Sequence, residues 1–207
     1  MPKGKIIVVA LIITISLLAI FFVKNGFSSN FLDKKIVMYE KNIDELKKEY
    51  YPMHFAITEK KQNINGQTIS GRFVFFTANN ERIGEPHSFE IMGNELFFDF
   101  VVVPITANLK MVFPYSIFSD IIAPDNGIFI APLYTQNGYP SIFEKQQNEN
   151  INKEISVLYA EICAKKNIKN AYGNAVHDTT KLGSFIIGQE YRILVHPSGG
   201  IEIVPVE

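Results

Sequence analysis

A run of uncharged, apolar residues near the amino terminus constrains this chain more than any other feature of its sequence. Residues 6–23 read IIVVALIITISLLAIFFV, without a charge, a proline or a glycine, and Lys5 and Lys24 flank the run. A helix rises about 1.5 Å per residue, so this run would be about 27 Å long, close to the hydrocarbon thickness of a bilayer. A soluble helix would carry a polar face, which Thr14 and Ser16 do not supply. The run therefore predicts a transmembrane helix.

The apolar run is expected to stay on the mature protein. The apolar core of a cleaved signal peptide is about 7–15 residues long and is followed by a small-residue cleavage site. The run in this chain is longer, and residues 24–29 (KNGFSS) offer no such site. A lipoprotein signal would need a cysteine here, and the one cysteine of the chain is Cys163. We therefore expect an uncleaved signal-anchor that contacts the lipid bilayer through residues 6–23.

The side of the membrane on which the domain lies is less constrained. Residues 1–5 form a short tail, so the whole folded region follows the anchor. Lysines occur on both sides of it, so the positive-inside rule does not decide the orientation. A short tail before a long carboxyl-terminal domain is typical of a signal-anchor with an exported domain. We expect a domain outside the cytoplasm, in the periplasm or at the outer face of the inner membrane.

Residues 24–51 are predicted to form an amphipathic stalk helix. Apolar residues recur at spacings of 4 and 3, Asn30 can cap the start, and Pro52 is expected to end the helix. One interpretation is that the helix packs on its own domain. The other is a short parallel coiled coil that makes a homo-oligomer through the seam of Leu32, Ile36, Ile43 and Leu46, with Tyr39 and Tyr50 at the remaining seam positions.

Residues 52–207 read as a globular domain built mainly of antiparallel strands. Apolar residues alternate in the segments around 53–57 and 69–75, with a hairpin signal at Asn65-Gly66 between them. HSFEIM and ELFFDFVVVPI, joined by a Gly93-Asn94 turn, are predicted to form a second hairpin. Val101–Val103 is apolar on both faces and predicts a central strand.

The rest of the domain continues this pattern and adds one helix. Pro114 predicts an edge or a bend in the strand LKMVFPYSIF. Residues 150–167 show helical spacing, with Asn150 or Asn152 as the cap, and EYRILVHP and IEIVPV are predicted to form a last hairpin. Prolines recur every eight to ten residues over 104–140, as in a sandwich or a barrel. The predicted fold class is therefore α+β: an anchor, a stalk helix and a mainly antiparallel, sandwich- or barrel-like β domain with one packed helix.

Composition narrows the classes of function. A net charge of −1 gives no basic excess for nucleic acid, so we expect no nucleic-acid partner. One cysteine argues against a disulfide framework and a cysteine-rich zinc site. The sequence contains no phosphate-binding loop, dinucleotide-binding fingerprint or EF-hand, and we expect neither a cofactor nor a metal.

Candidate catalytic residues are few. His177-Asp178 is the one histidine next to a carboxylate, and Ser184 lacks the second glycine of a G-x-S-x-G elbow. Cys163 lies beside the apolar stripe of the predicted helix, which favours a buried, inert thiol. No catalytic residue is therefore assigned, and a hydrolase or transferase around His177 and Asp178 stays an alternative.

The aromatic-rich stretch 113–143 is the best candidate for a partner-binding surface. Aromatic rings among turns can stack on a sugar or hold a peptide, and the alternative is that they belong to the core. The candidates are Phe113, Tyr115, Phe118, Tyr134 and Tyr139.

This layout of anchor, stalk and β domain occurs in bacterial envelope scaffolds. The function it favours is a non-enzymatic, membrane-anchored envelope module that contacts a protein or an envelope polymer. Besides the hydrolase or transferase, the alternative is a small-ligand carrier with a cavity between sheet and helix.

Overall fold

The computed structural model describes residues 48–64, 66–105, 108–168, 170–176 and 185–206. The predicted anchor, most of the predicted stalk with its seam, and the candidates His177, Asp178 and Ser184 lie outside the described residues. Within the described ranges, no helix is both long enough and apolar enough to span a bilayer.

The described chain forms eleven strands and one α-helix. The helix, α1, is Glu149–Cys163. In chain order the strands are β1 (Tyr50–Asn63), β2 (Gly66–Phe76), β3 (Arg82–Met92), β4 (Leu96–Pro104), β5 (Lys110–Ser119), β6 (Ile128–Phe129), β7 (Thr135–Gln136), β8 (Tyr139–Pro140), β9 (Tyr172–Val176), β10 (Glu190–Val195) and β11 (Ile201–Pro205).

Two antiparallel sheets contain most of these strands. Sheet A has the order β11-β10-β1-β2-β3, and sheet B has the order β6-β5-β4-β9. β7 and β8 form a separate two-stranded pair, and a turn of 3₁₀ helix, Ala131–Tyr134, precedes β7. The structure thus confirms a mainly antiparallel β domain with one helix.

The alternating apolar residues point to the buried side of each sheet, as predicted. Met53, Phe55 and Ile57 of β1 are buried, and so are Phe73 and Phe75 of β2. The inner faces of the two sheets pack together, since the ring centroids of Phe55 in sheet A and Phe98 in sheet B lie 4.4 Å apart.

Two of the predicted hairpins and the predicted central strand are confirmed. β1 and β2 form one hairpin, in which Asn63 pairs with Gly66, and β10 and β11 form the other. Val101–Val103 lies in β4, which has β5 on one side and β9 on the other.

The prediction of a hairpin around Gly93-Asn94 was wrong. β3 pairs with β2 in sheet A, whereas β4 pairs with β5 and β9 in sheet B, so this turn carries the chain from one sheet to the other. Asp120, the residue after β5, holds the backbone of this turn. Its carboxylate accepts hydrogen bonds from the backbone N–H of Asn94 (2.7 Å) and of Glu95 (3.1 Å). Alternation and a turn signal predict two strands but do not say whether those strands pair.

The bend predicted at Pro114 is a β-bulge in the middle of sheet B. Asp99 pairs with Ser116 and Phe100 pairs with Pro114, so Tyr115 is the extra residue of β5. The carbonyl of Pro114 accepts from the Tyr134 hydroxyl at 2.8 Å. The Tyr134 hydroxyl, which lies outside the β4–β5 ladder, thus supplies a hydrogen bond at the bulge.

The N-cap of helix α1 lies two residues before the earlier of the two predicted caps. Its N-cap is Asn148, whose side chain accepts from the backbone N–H of Asn150, so the capping predicted for Asn150 or Asn152 was wrong. Asn152 is buried instead, and its side-chain amide forms two hydrogen bonds of 2.7 Å with the backbone of Gln146. The buried face includes Tyr159 as well as the predicted isoleucines, and Leu158 is half-buried.

The end of the predicted stalk helix needs a correction. Tyr50 and Tyr51 lie in β1, and Tyr50 is buried with its hydroxyl donating to the Val112 carbonyl at 3.2 Å. Pro52 does not end a helix here. It lies where the register between β1 and β10 shifts, a position that suits a residue without a backbone N–H.

Candidate functional site: an arginine-lined cleft on sheet A

Three of the five candidate aromatic residues lie in the core. Phe113, Tyr134 and Tyr139 are 0%, 1% and 4% exposed. Burial raises the pKa of Tyr134 well above its ordinary value, so its hydroxyl stays protonated and donates to Pro114. These three residues therefore belong to the core, which is the alternative that the sequence left open.

The other two candidates, Tyr115 and Phe118, are half-exposed. The ring of Tyr115 packs edge-on against Phe129 at 5.1 Å, and the ring of Phe118 stacks on Phe97 at 5.1 Å. A partner-binding role for these two residues stays a prediction.

Tyr115 also lines a small pocket beside the carboxyl-terminal end of α1. The pocket has a volume of about 170 Å³ and lies between Ile162 of the helix and Val101 and Gly173 of sheet B. It is small for a drug-sized ligand, since such pockets measure roughly 300–1,000 Å³.

Cys163, near this pocket, is half-buried rather than buried as predicted. Burial raises the pKa of its thiol, and a hydrogen bond with Tyr159 opposes that shift only in part. A raised pKa lowers the fraction of thiolate, the form in which a cysteine acts as a nucleophile.

A second cleft, of about 270 Å³, is larger but also falls below this range, and it lies on the outer face of sheet A. We call it the arginine cleft and define it by its side chains His54, Ala56, Arg72, Val74, Phe76, Arg82, Pro86 and Glu190. These residues come from four adjacent strands: β10, β1, β2 and β3.

The period of the strands explains which side chains reach this face. Since Met53, Phe55 and Ile57 of β1 point into the core, His54 and Ala56 between them point to the opposite side. The pairing register of β1 with β10 and β2 then determines which side chains lie beside His54 and Ala56. Ala56 lies between Glu190 and Arg72, and His54 lies between Arg192 and Val74.

All three arginines of the chain converge on this face. Arg72 and Arg82 line the cleft, and Arg192 is the cross-strand neighbour of His54. The Arg192 guanidinium lies 4.2 Å from the centroid of the Tyr51 ring, in a cation–π contact. Its Nε is buried without a hydrogen-bond partner among the described residues.

Two carboxylates offset part of this positive charge. Nη2 of Arg82 lies 2.8 Å from Oε2 of Glu85, and Nε of Arg82 donates to the Gly84 carbonyl at 3.0 Å. Oε1 of Glu190 lies 3.2 Å from Nδ1 of His54. Arg72 has no hydrogen bond or ion pair with any residue that the structure describes, and its side chain is exposed. A cation with no partner of its own is therefore open to solvent at the cleft.

The side chain of His54 is held in place by its neighbours. Its side chain is 16% exposed, and its ring packs on Phe76 with the centroids 4.3 Å apart. One ring nitrogen is bound to Glu190, and the other, Nε2, is shut off from solvent without a described partner. This geometry suits a wall of a binding site better than a proton shuttle, whose nitrogen must reach the substrate.

Among the described residues, no group of three or more histidine, cysteine, aspartate or glutamate side chains is placed to hold a metal ion. His177 and Asp178, the residues of the alternative hydrolase or transferase, lie outside those residues, and so does Ser184. Their role stays a prediction.

The sequence analysis missed the arginine cleft. Its only signal is that the chain has three arginines, of which Arg72 and Arg192 lie in predicted strands, whereas Arg82 was predicted to lie in a loop. Their convergence depends on β10 pairing with β1 across more than a hundred residues, which no local pattern reveals.

Comparison with known proteins gives no counterpart. The chain matches no family model, no curated protein and no solved structure.

Proposed function

We propose that this protein is a single-pass, membrane-anchored envelope protein whose β domain is a non-enzymatic binding module. The domain lies outside the cytoplasm and recognises a protein or an envelope polymer through the arginine cleft. The observation that carries this proposal is the convergence of all three arginines of the chain on one sheet face, where Arg72 is exposed and unpaired among the described residues.

The character of the cleft supports binding. It combines exposed guanidinium groups with the apolar side chains of Val74, Phe76 and Pro86, the mixture found where proteins recognise polar partners. Arginine is enriched at the residues that contribute most to binding energy. Because the ladders of β1 with β2 and β10 fix the backbone at Ala56, Arg72 and Glu190, the attachment points of these side chains are set before a partner arrives.

The proposed anchor rests on residues 6–23, an apolar run long enough to cross a bilayer. Tethering keeps the domain close to the membrane and raises its effective concentration for a binding partner in the same layer of the envelope. A binding module of modest affinity benefits from such an arrangement.

Anchoring and sidedness are tested together on the full-length protein in cells. After extraction at alkaline pH, the protein should stay in the membrane pellet. For sidedness, Ser198→Cys is introduced together with Cys163→Ala. Ser198 is exposed in the β10–β11 turn, so a maleimide that cannot cross membranes should label it in intact cells. The Cys163→Ala variant without the new cysteine is the matched control.

Recovery of the protein in the soluble fraction would remove the anchor from this proposal. Labelling of Ser198→Cys only after the cells are lysed would place the domain on the cytoplasmic side.

A further inference from the structure

We infer that the arginine cleft binds a ligand with one negative charge, a carboxylate carried on an apolar body, with the carboxylate on Arg72. This inference rests on the proposed function, because it names the chemistry that the same cleft recognises.

The charges at the cleft match a monoanion. Among the side chains that line the cleft, Arg72 and Arg82 are positive and Glu190 is negative, which leaves one net positive charge when His54 is neutral. Arg82 and Glu190 already have partners, Glu85 and His54. Arg72, which has no partner among the residues that the structure describes, is therefore the group that an incoming anion meets.

The side chain of Arg72 also fits a carboxylate in shape. A guanidinium presents parallel N–H donors that match the two oxygens of a carboxylate, which gives a bidentate pair. A phosphate group that carries nearly two negative charges would meet the same donors, but it would also approach the carboxylate of Glu190. Repulsion between the Glu190 carboxylate and a doubly charged phosphate therefore disfavours the dianion more than a monoanion.

The spacing of the strands leaves room for the body of the ligand. Glu190, Ala56 and Arg72 lie side by side on β10, β1 and β2, so their backbones span roughly 10 Å, two strand spacings. Ala56 is the smallest of the three and forms the floor of the gap. Val74, Phe76 and Pro86 supply the apolar wall. A hydroxyl or amino group on the ligand would find an acceptor in Glu190.

The test uses full-length protein in lipid nanodiscs and 4-fluorobenzoate as the probe, observed by ¹⁹F NMR. We expect saturable binding of 4-fluorobenzoate, and we expect Arg72→Gln to weaken it at least about tenfold, since a charge-assisted hydrogen bond contributes roughly 1.5–3 kcal/mol. Lys153→Gln is the matched control, because it removes one exposed positive charge from α1. Ala56→Leu should also weaken binding by filling the floor of the cleft.

Two comparison ligands define the chemical class. 4-Fluorobenzyl alcohol has the same ring without the charge and should bind at least about tenfold more weakly. Inorganic phosphate should displace 4-fluorobenzoate only at higher concentration than acetate does. Arg72 is exposed, so the Arg72→Gln variant is expected to fold, and an unchanged melting temperature would verify this. The test therefore does not depend on whether the Ala56→Leu variant folds.

The inference is overturned if Arg72→Gln binds 4-fluorobenzoate as well as Lys153→Gln does, if no saturable binding occurs, or if phosphate competes better than acetate. A failure of this kind is separable from failure of the proposed function. Alkaline extraction, maleimide labelling and photo-crosslinking in cells from p-benzoylphenylalanine placed at Pro86 test that function without any carboxylate probe. Whether the carboxylate belongs to a peptide or to a polymer is decided by whether protease shortens the photo-crosslinked adduct.

Discussion

Gly71 of β2 lies on the core face of sheet A, where its neighbours leave no room for a side chain. A Cβ atom added to Gly71 would lie 2.5 Å from the ring of Phe89 and 2.6 Å from the carbonyl oxygen of Ala56. The ring of Phe89 on β3 covers the glycine, and the backbone of β1 passes beside it. The glycine is therefore needed for the close approach of three strands, one of which carries the floor of the cleft.

We expect Gly71→Ala to destabilise the protein by about 1–3 kcal/mol, because the Ala56 carbonyl belongs to the backbone and cannot move aside. Gly173→Ala is the matched control, since its Cβ would meet the Asp99 carboxylate at 3.5 Å, an ordinary contact. The melting temperatures of the two full-length variants measure the difference. Equal melting temperatures would contradict this account of Gly71.

At the residue scale, the sequence predicts which side chains face the core and leaves their close contacts open. Alternation placed Ile69, Gly71, Phe73 and Phe75 on one face of β2, and the structure buries the three large side chains. That Phe89 would cover Gly71 depends on the register between β2 and β3, which contains an irregularity between Phe73 and Phe75. Local sequence does not specify that irregularity.

At the scale of elements, His196 links the β10–β11 hairpin to the residue just before β1. Its Nδ1 lies 2.8 Å from Oε1 of Glu49, and its Nε2 lies 3.0 Å from Oε1 of Glu202. Burial alone would lower the pKa of His196, but the hydrogen bonds with Glu202 and Glu49 raise it above the ordinary 6.5. The backbone N–H of Lys110 in β5 donates to the carbonyl of Pro197, the residue after His196.

The stability that His196 contributes should depend on pH. Because its pKa is raised in the folded state, the contribution is complete below about pH 6.5 and is lost as the pH rises through the folded-state pKa. His196→Ala should therefore lower the melting temperature more at pH 5.5 than at pH 8.5. His54→Ala, measured at the same two pH values, is the comparison for losing a histidine from the same sheet. An equal loss for His196→Ala at both pH values would contradict the proposed role of the two carboxylates.

The elements also show where local patterns stop being informative. The β1–β2 and β10–β11 hairpins were predictable because each has a short turn between paired strands. The turn at Gly93 has the same kind of signal but carries the chain between sheets, and Asp120, more than twenty residues away, holds it. Likewise, Tyr50 fitted a helical seam in the sequence but lies in β1, where its hydroxyl donates to Val112 of sheet B.

At the scale of the whole molecule, the arginine cleft exists because distant strands become neighbours. β1 and β2 are adjacent in the sequence, whereas β10 reaches β1 only after the chain has built sheet B and α1. Composition predicted no basic excess that would bind nucleic acid, and the fold gathers the three arginines of the chain on one face. The prediction of a partner-binding surface in 113–143 now rests on Tyr115 and Phe118, and the arginine cleft is the larger of the two surfaces described.

Photo-crosslinking in cells tests the central claim most directly, that the domain binds its partner through the arginine cleft. p-Benzoylphenylalanine is placed at Pro86, an exposed residue of the cleft, or at Lys153 on α1 as the control position. We expect an adduct of the full-length protein at Pro86 that is absent at Lys153 and is lost when Arg72→Gln is added. An adduct at Pro86 that survives Arg72→Gln, or no adduct at Pro86, would contradict the account.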